Sequence, residues 1–335
     1  MIAKDAASTT PAPDHPTMLA VLRLAARAPS VHNTQPWRWV FDGVRLHLYV
    51  DADRLLPSTD PLARQLVISC GAVLHHVRTV FADRGWHTDT TRVPLPERPD
   101  HVAVISFRPW PDPPTGVHSR ALAIGRRRTD RLPLYTPEGF ADILPRLRML
   151  TSPHEVELGV LDQAARPHLA AASKEADTVR DGDLLYQTEL QWWVGHSEMS
   201  EGVPSSALVS EKEFARVGIG RAFPGGPHSA RRAQLEDQAQ LVVLSTDTDT
   251  VTAWLRTGEA LSAVLLECTA AGLASCALTH ITEIPAGRKL LANLVPHPAM
   301  PQVLIRIGTA PEDSDMTPPT PRRAVTDMFT VTEAH

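Results

Sequence analysis

Apolar positions recur at helical spacing from Met18 to Ala28 (MLAVLRLAARA), with Thr17 placed to cap the segment and Pro29 placed to stop it. Val44 to Val50 (VRLHLYV) alternates with period two and predicts a strand with one buried face. A second helix is expected from about Ala63 to Asp83; it is mostly apolar, which predicts a central position. His101 to Phe107 (HVAVISF) reads as a strand, and the Pro-rich run Pro109 to Pro114 behind it is the best boundary between halves. Beyond it a helical segment leads into Gly125–Arg131, a strand is expected near Val156 to Leu161, and a helix from about Pro167 to Val179. Leu241 to Thr246 (LVVLST) and Val303 to Gly308 (VLIRIG) read as strands, with an Ala- and Leu-rich helix, Glu259 to Ala271, between them.

Two glycine pairs share one spacing. Gly71 and Gly85 bracket the first central helix and Gly258 and Gly272 the second, each pair fourteen residues apart. A duplication would produce this, and so would two Ala-rich helices that each end in glycine. Residues 1–16 read as a loose tail, 17–114 as a first half and 115–335 as a second half. Within the second half, residues 183–232 change character, with Trp192–Trp193, then a Ser/Glu/Gly-rich stretch, then the glycines of Gly218–Gly226. Such an excursion reads as a lid or as a plain surface loop.

Composition narrows the function classes. The 335 residues are 43% hydrophobic and 21% charged, with a formal net charge of −5. That profile gives no general attraction for nucleic acid or anionic membranes. The N-terminus lacks the pattern of a signal peptide, and the most apolar helical stretch, Ala260 to Ala271, contains Glu267 and is too short to span a bilayer. The expectation is a soluble, cytoplasmic protein. Cys70, Cys268 and Cys276 form no CxxC pair and predict buried, reduced thiols.

No GxSxG elbow, Walker loop or complete GxGxxG occurs, and His75 and His76 are adjacent, so they point in different directions and cannot share a metal. Two segments carry more. In Ala28–Trp39 (APSVHNTQPWRW), Ser30, His32, Asn33, Thr34 and Gln35 follow a helix stop and precede Pro36, Trp37, Arg38 and Trp39. Short polar side chains and bare backbone donors there suit a heteroaromatic ring edge and a polyol; the alternative is a capped loop whose tryptophans plug the core. In Gly125–Arg131 (GRRRTDR), Arg126, Arg127, Arg128 and Arg131 surround Thr129, and Arg322–Arg323 form a second basic pair. Each cluster alone could be a solvated face. Together, in an acidic chain, guanidinium forks and a hydroxyl favour a bound phosphate.

The segment PSxxNxQPW resembles the flavin-contacting loop of the nitroreductase superfamily, and Arg127, Arg128, Thr129 and Arg131 resemble its RRSxR element. Over nearly the whole chain, including RRTDRLP (Arg127–Pro133), SEGVP (Ser200–Pro204), LTHITE (Leu278–Glu283) and TPRR (Thr320–Arg323), the sequence is similar to the Acg group of mycobacterial nitroreductases. The resemblance implies an α+β nitroreductase-like fold and one FMN per chain. It places Ser30, Asn33, Gln35, Pro36, Trp37, Arg38 and Trp39 on one side of the cofactor, with Arg127, Arg128, Thr129, Arg131, Arg322 and Arg323 on the other. Each element occurs once, so the halves are expected to be complementary, an intrachain pseudo-dimer with one complete and one degenerate site. Monomer is then favoured over homodimer.

The resemblance further implies NADPH or NADH as donor and a nitroaromatic or quinone-type small molecule as acceptor, with Arg131 stabilising negative charge. No protein acid or base is required. The rival expectation is an FMN-storing protein whose 183–232 insert covers the flavin.

Overall fold

The computed structural model describes residues 12–195, 201–295, 297–312 and 319–332. The expected tail lies outside them as far as residue 11, as does Ser200. The first part runs α1 (His15–Ala25), β1 (Trp37–Phe41), β2 (Leu46–Val50), α2 (Arg64–Asp83), β3 (Trp86–Arg92), β4 (His101–Pro109) and α3 (Val117–Arg126). There follow α4 (Phe140–Thr151), β5 (Glu157–Val160), α5 (Arg166–Asp181), α6 (Leu184–Trp193) and α7 (Glu211–Val217). The chain ends with β6 (Gln240–Thr246), α8 (Val251–Ala270), β7 (Ala274–Leu278), α9 (His280–Glu283), α10 (Pro285–Leu294), β8 (Met300–Gly308) and β9 (Phe329–Val331).

Two sheets flank a central pair of helices. The first has the order β3-β4-β2-β1-β9 and the second β5-β6-β8-β7. Read from β7, the second sheet repeats the order of the first four strands. The pairs are antiparallel except β1 with β9, where the end of the chain returns parallel to Trp39–Phe41. Thus β9, at the far end of the segment expected to form the second half, completes the first sheet.

Between the sheets α2 packs on α8. Each has 20 residues, and each carries a glycine seven residues after its first, Gly71 and Gly258. These glycines sit inside the helices at their crossing and do not bracket them. A Cβ on Gly71 would stand 1.9 Å from the carbonyl oxygen of Leu255, and one on Gly258 would stand 1.9 Å from that of Ile68. Backbone therefore meets backbone, and only hydrogen fits at either position. The partner glycines Gly85 and Gly272 lie just past the helix ends at φ +78° and +81°, a left-handed region that glycine enters without a Cβ penalty.

Other expectations shift for local reasons. Helix α1 starts at His15, two residues inside the segment read as tail, because Asp14 and not Thr17 is the cap, accepting the Thr17 N–H at 2.9 Å. It stops at Ala25, since the residue before Pro29 is disfavoured in the helical region. Helix α8 begins eight residues before the expected Glu259, capped by Thr250, and continues through Gly258 because tertiary contact stabilises that glycine in place. Trp37 and Trp39 are fully buried in the first core on one face of β1, while Arg38 points outward over the Tyr49 ring. All three cysteines are buried and free. Among the described residues no helix is long and apolar enough to cross a membrane.

Gly258→Ala is expected to destabilise the protein by about 3 kcal/mol through forced separation of the helices, read from urea unfolding. Gly125→Ala, in α3 with nothing within 4 Å of the added carbon, is expected to stabilise by roughly 0.5–1 kcal/mol. A Gly258→Ala protein as stable as the parent would show that the two backbones are not in this contact.

Candidate functional site

A cavity opens where the loop after α1 meets the segment after α3, the β7–α9 connection and the long excursion before β6. The loop carries unusual backbone. His32, Asn33 and Gln35 adopt φ +46°, +57° and +50°, conformations that L residues hold only when the surroundings impose them. Several contacts do so. Ser30 Oγ accepts the Gln35 N–H at 3.0 Å, Ser69 Oγ on α2 accepts the Val31 N–H at 3.2 Å, and Thr34 Oγ1 donates to the Val31 carbonyl at 2.9 Å. Asn33 Nδ2 donates to the carbonyls of Gly202 at 2.9 Å and Pro321 at 3.2 Å, so one amide ties down both the excursion and the C-terminal arm.

At one end of the cavity four arginines gather, Arg27, Arg127, Arg128 and Arg322. Two carbonyls just past the C-terminus of α1 position them. Ala26 accepts from Arg322 Nε at 2.9 Å, and Arg27 accepts from Arg322 Nη2 at 3.3 Å and Arg127 Nη2 at 3.2 Å. Burial pushes Arg127 down to about 10 and Arg322 to about 9, and every charge that adds to those shifts is another arginine. The Nε atoms of Arg27, Arg127 and Arg128 are buried without a partner. Among the described residues none of Arg27, Arg127, Arg128 and Arg322 pairs with a carboxylate; buried cations in that state are expensive, and a multiply charged anion would supply the missing charge.

The rest of the cavity is mixed. Thr129 bridges to Ser275, and the Asp130 N–H donates to the Ser275 carbonyl at 2.9 Å, which lays the arginine-rich segment along β7. Arg131 donates to the Ala207 carbonyl at 3.2 Å and lies 5.3 Å from the centre of the Phe223 ring. His280 is buried and pushed down to about 3, first by desolvation and then by Arg221, so it is neutral. Its Nε2 meets Ser173 Oγ at 2.7 Å, and that hydroxyl also contacts the carbonyl and N–H of Gly220. The arrangement that satisfies all three groups puts the proton on Nε2 and leaves Nδ1 as a buried acceptor without a partner. His32 Nε2 is likewise buried and unpartnered, and its ring stands edge-on to Phe223.

The excursion supplies part of this lining. Val203, Ala207, Val209, Phe214, Ile219 and Phe223 line the cavity from it. Helix α7 is held by a capping box between Ser210 and Glu213, and Glu213 in turn binds Arg231. Arg221 pairs with Glu283 and donates to the Tyr186 hydroxyl at 2.5 Å. Gln65 Nε2 donates to the same Glu283 at 2.8 Å, so excursion, α2 and α9 meet on one carboxylate.

Of the expected site residues, Ser30, Asn33, Arg127, Arg128, Thr129, Arg131 and Arg322 line the cavity. Gln35, Pro36, Trp37, Arg38, Trp39 and Arg323 support it from behind or face away from it. Gln35 is fully buried and accepts the Arg323 N–H at 2.9 Å; Arg323 pairs with Asp51 at 3.2 Å; the Pro36 carbonyl accepts the Asp51 N–H at 3.0 Å. Arg126 is exposed. Sequence reasoning missed Arg27, Arg221, Phe223 and His280 as lining residues. Arg221 and Phe223 sit in the glycine-rich stretch already singled out, and His280 sits in LTHITE. Arg27, at the end of the apolar helical segment, carried no signal of its own.

Inorganic phosphate at about 100 times its Kd is expected to stabilise the cofactor-free protein by about 2.7 kcal/mol, read as a rise in Tm. Arg127→Met and Arg322→Met are expected to abolish that rise, and an equal rise in both variants would mean that the anion binds elsewhere.

No family model matches the chain. The curated relatives are nevertheless close. A Mycobacterium tuberculosis protein (strain ATCC 25618 / H37Rv) named "Putative NAD(P)H nitroreductase acg" is 44% identical over 313 residues, covering 93% of this chain and 95% of that protein. An uncharacterized protein of the same strain is 41% identical over 92% of this chain and 91% of its own length. Another of its proteins named as an NAD(P)H nitroreductase is 37% identical over 96% of this chain and 94% of its own. Among solved structures, a nitroreductase from Anabaena variabilis covers 90% of each chain at 10% identity with a TM-score of 0.46. The FMN and NADPH-dependent nitroreductase NfnB from Sphigopyxis sp. strain HMH covers 63% of this chain and 97% of its own at 18% identity and TM-score 0.42.

Proposed function

This chain belongs to the family of the mycobacterial Acg nitroreductase, and on that premise we propose that it binds one FMN in the cavity and passes electrons from NAD(P)H to a nitroaromatic or quinone-type acceptor. The observation that carries the proposal is the cluster of Arg27, Arg127, Arg128 and Arg322, buried cations whose shifts come from burial and from one another. A flavin mononucleotide ends in a phosphate dianion that matches this charge. Bound there, FMN would supply the hydride and electron-transfer chemistry between nicotinamide and acceptor, which no side chain provides by itself.

The protein's part is binding and electrostatics. Arg127 and Arg322 hold the phosphate, with Arg27 and Arg128 beside them. Ser30, Asn33 and Thr129 offer short polar groups along the cavity. Arg131, pushed down by burial and lacking an ion pair among the described residues, is the cation available to negative charge on the reduced ring. His32 Nε2 and His280 Nδ1 are unpaired polar atoms of neutral imidazoles, fitted to hydrogen-bond a heteroaromatic edge.

The same reading treats the chain as two fused nitroreductase-like halves. The matching strand orders, the paired helices α2 and α8 and their equally placed glycines support it. Loop 29–36 comes from one half. The arginine segment follows α3 at the start of the other half and lies along β7.

A second reading is favoured by one observation, the packing of Phe223, Ala207 and Arg221 over the cavity. In it residues 183–232 act as a lid that keeps nicotinamide away and the protein stores FMN. Anaerobic NADPH bleaches the flavin spectrum in the reductase reading. Reduction by dithionite alone, with bleaching by NADPH restored when the insert is removed, selects storage.

Arg322→Ala is expected to weaken FMN retention by about 1.5–3 kcal/mol, measured by fluorescence titration of the released flavin. Undiminished affinity in both Arg322→Ala and Arg127→Ala would remove the phosphate site from this position.

A further inference from the structure

A second hollow of about 380 Å³ lies at the start of α2, between the preceding loop, α10 and the first residues of β8. Its chemistry is uneven. The walls are apolar, with Pro61, Leu62, Pro285, Ala292, Met300 and Pro301, and Leu62 and Met300 are 74% and 45% exposed. Side chains this apolar, left in water around a concave surface, mark a binding site more often than a plain surface.

The polar lining carries a buried cation, Arg64, which feels Glu283, Asp249 and Asp60 but, among the described residues, makes no direct ion pair. Arg64 is buried, donates to the Thr282 carbonyl and hydroxyl at 2.9 and 3.0 Å, and reaches Gln302 Oε1 at 3.3 Å. Arg288 donates to that same Gln302 oxygen at 3.1 Å. Two guanidiniums therefore share a neutral acceptor, and the carboxylate beside them, Asp249, is bound in fork geometry by Arg288 at 2.6 and 2.9 Å. The other carboxylates of the hollow are engaged as well. Glu283 pairs with Arg221, and Asp60 accepts the Leu66 N–H at 2.9 Å while burial pushes it up to about 6. Among the described residues no carboxylate stands at ion-pair distance from Arg64. Exposed Lys289 adds a second cation at the rim, and the N-terminus of α10 borders the space, while that of α2 is already capped by Asp60.

We propose that this hollow binds an organic monocarboxylate with an apolar body, the carboxylate against Arg64 and Lys289 and the hydrocarbon against Leu62, Ala292 and Met300. A single negative charge matches Arg64, which makes no direct ion pair among the described residues, and a phosphate dianion would bring a second charge close to Asp60 and Glu283. The hollow also adjoins the cofactor cavity. Gln65, next to Arg64, and Glu283 lie between the two spaces, and both belong to the network that holds Arg221. The proposal does not depend on the flavin reading.

Isothermal titration of the full-length protein with sodium octanoate, 1-octanol and inorganic phosphate tests it. Octanoate is expected to bind saturably at one per chain, with octanol and phosphate each at least about tenfold weaker. Lys289→Glu and Met300→Glu, both exposed and outside the packed core, are expected to keep the parental Tm and to weaken octanoate about tenfold or more. Arg64→Gln is expected to abolish binding, and the two surface variants decide the matter if that protein fails to fold. Absence of saturable octanoate binding overturns the proposal. So does an affinity unchanged in both surface variants, or phosphate binding more tightly than octanoate.

Discussion

The close crossing of α2 and α8 sets the geometry on which everything else rests. At Gly71 and Gly258 the two backbones approach until an added carbon would stand 1.9 Å from a carbonyl oxygen. Both helices are buried on most sides, and each lies under its own sheet, so their crossing fixes how the sheets sit relative to one another. The loop at residues 29–36 is bonded to α2 through Ser69. The segment at residues 127–131 runs along β7, directly after α8. A wider crossing would pull these pieces apart and open the cavity between them.

The site formed there concentrates polar and charged groups that the surrounding structure only partly satisfies. Four arginines gather near the end of α1, where Arg127 and Arg322 bond its carbonyls, the loop positions His32, Asn33 and Gln35 sit at positive φ, and two buried imidazole nitrogens lining the site have no partner. Each feature costs stability on its own. They persist because Asn33, Ser30 and Ser69 pin the loop and because the helix end orients Arg127 and Arg322. A bound dianion with a heteroaromatic ring would offset several of these costs together, which couples cofactor retention to folding stability.

Much of this was legible in the chain. The helix over Arg64–Asp83 and the strands at His101, Gln240 and Met300 announce themselves through apolar patterning, because a buried element must be apolar wherever it meets its neighbours. The arginine-rich and PSVHNTQPW segments stood out because their residue types are costly anywhere but at a ligand or in water. Other features were hidden. The strand Trp37–Phe41 was hidden because its first residues close the polar segment Ala28–Trp39 and read with it as a loop, and Gly258 reads as a helix boundary when it is a contact point.

The sequence by itself determined the central helix over Arg64–Asp83 and several core strands, which residues carry charge, and that loop and arginine segment each occur once. Only the tertiary structure decided which of them share a cavity. It placed Gln35, Trp37, Trp39 and Arg323 behind the site and brought Arg27, Arg221, Phe223 and His280 into it. It also returned β9 to the first sheet and brought residues between Val203 and Phe223 into the cavity lining. The reason is physical. Periodicity records whether a side chain is buried, but not against what, and partners hundreds of positions apart, such as Asn33 and Pro321, are chosen by how the helices cross.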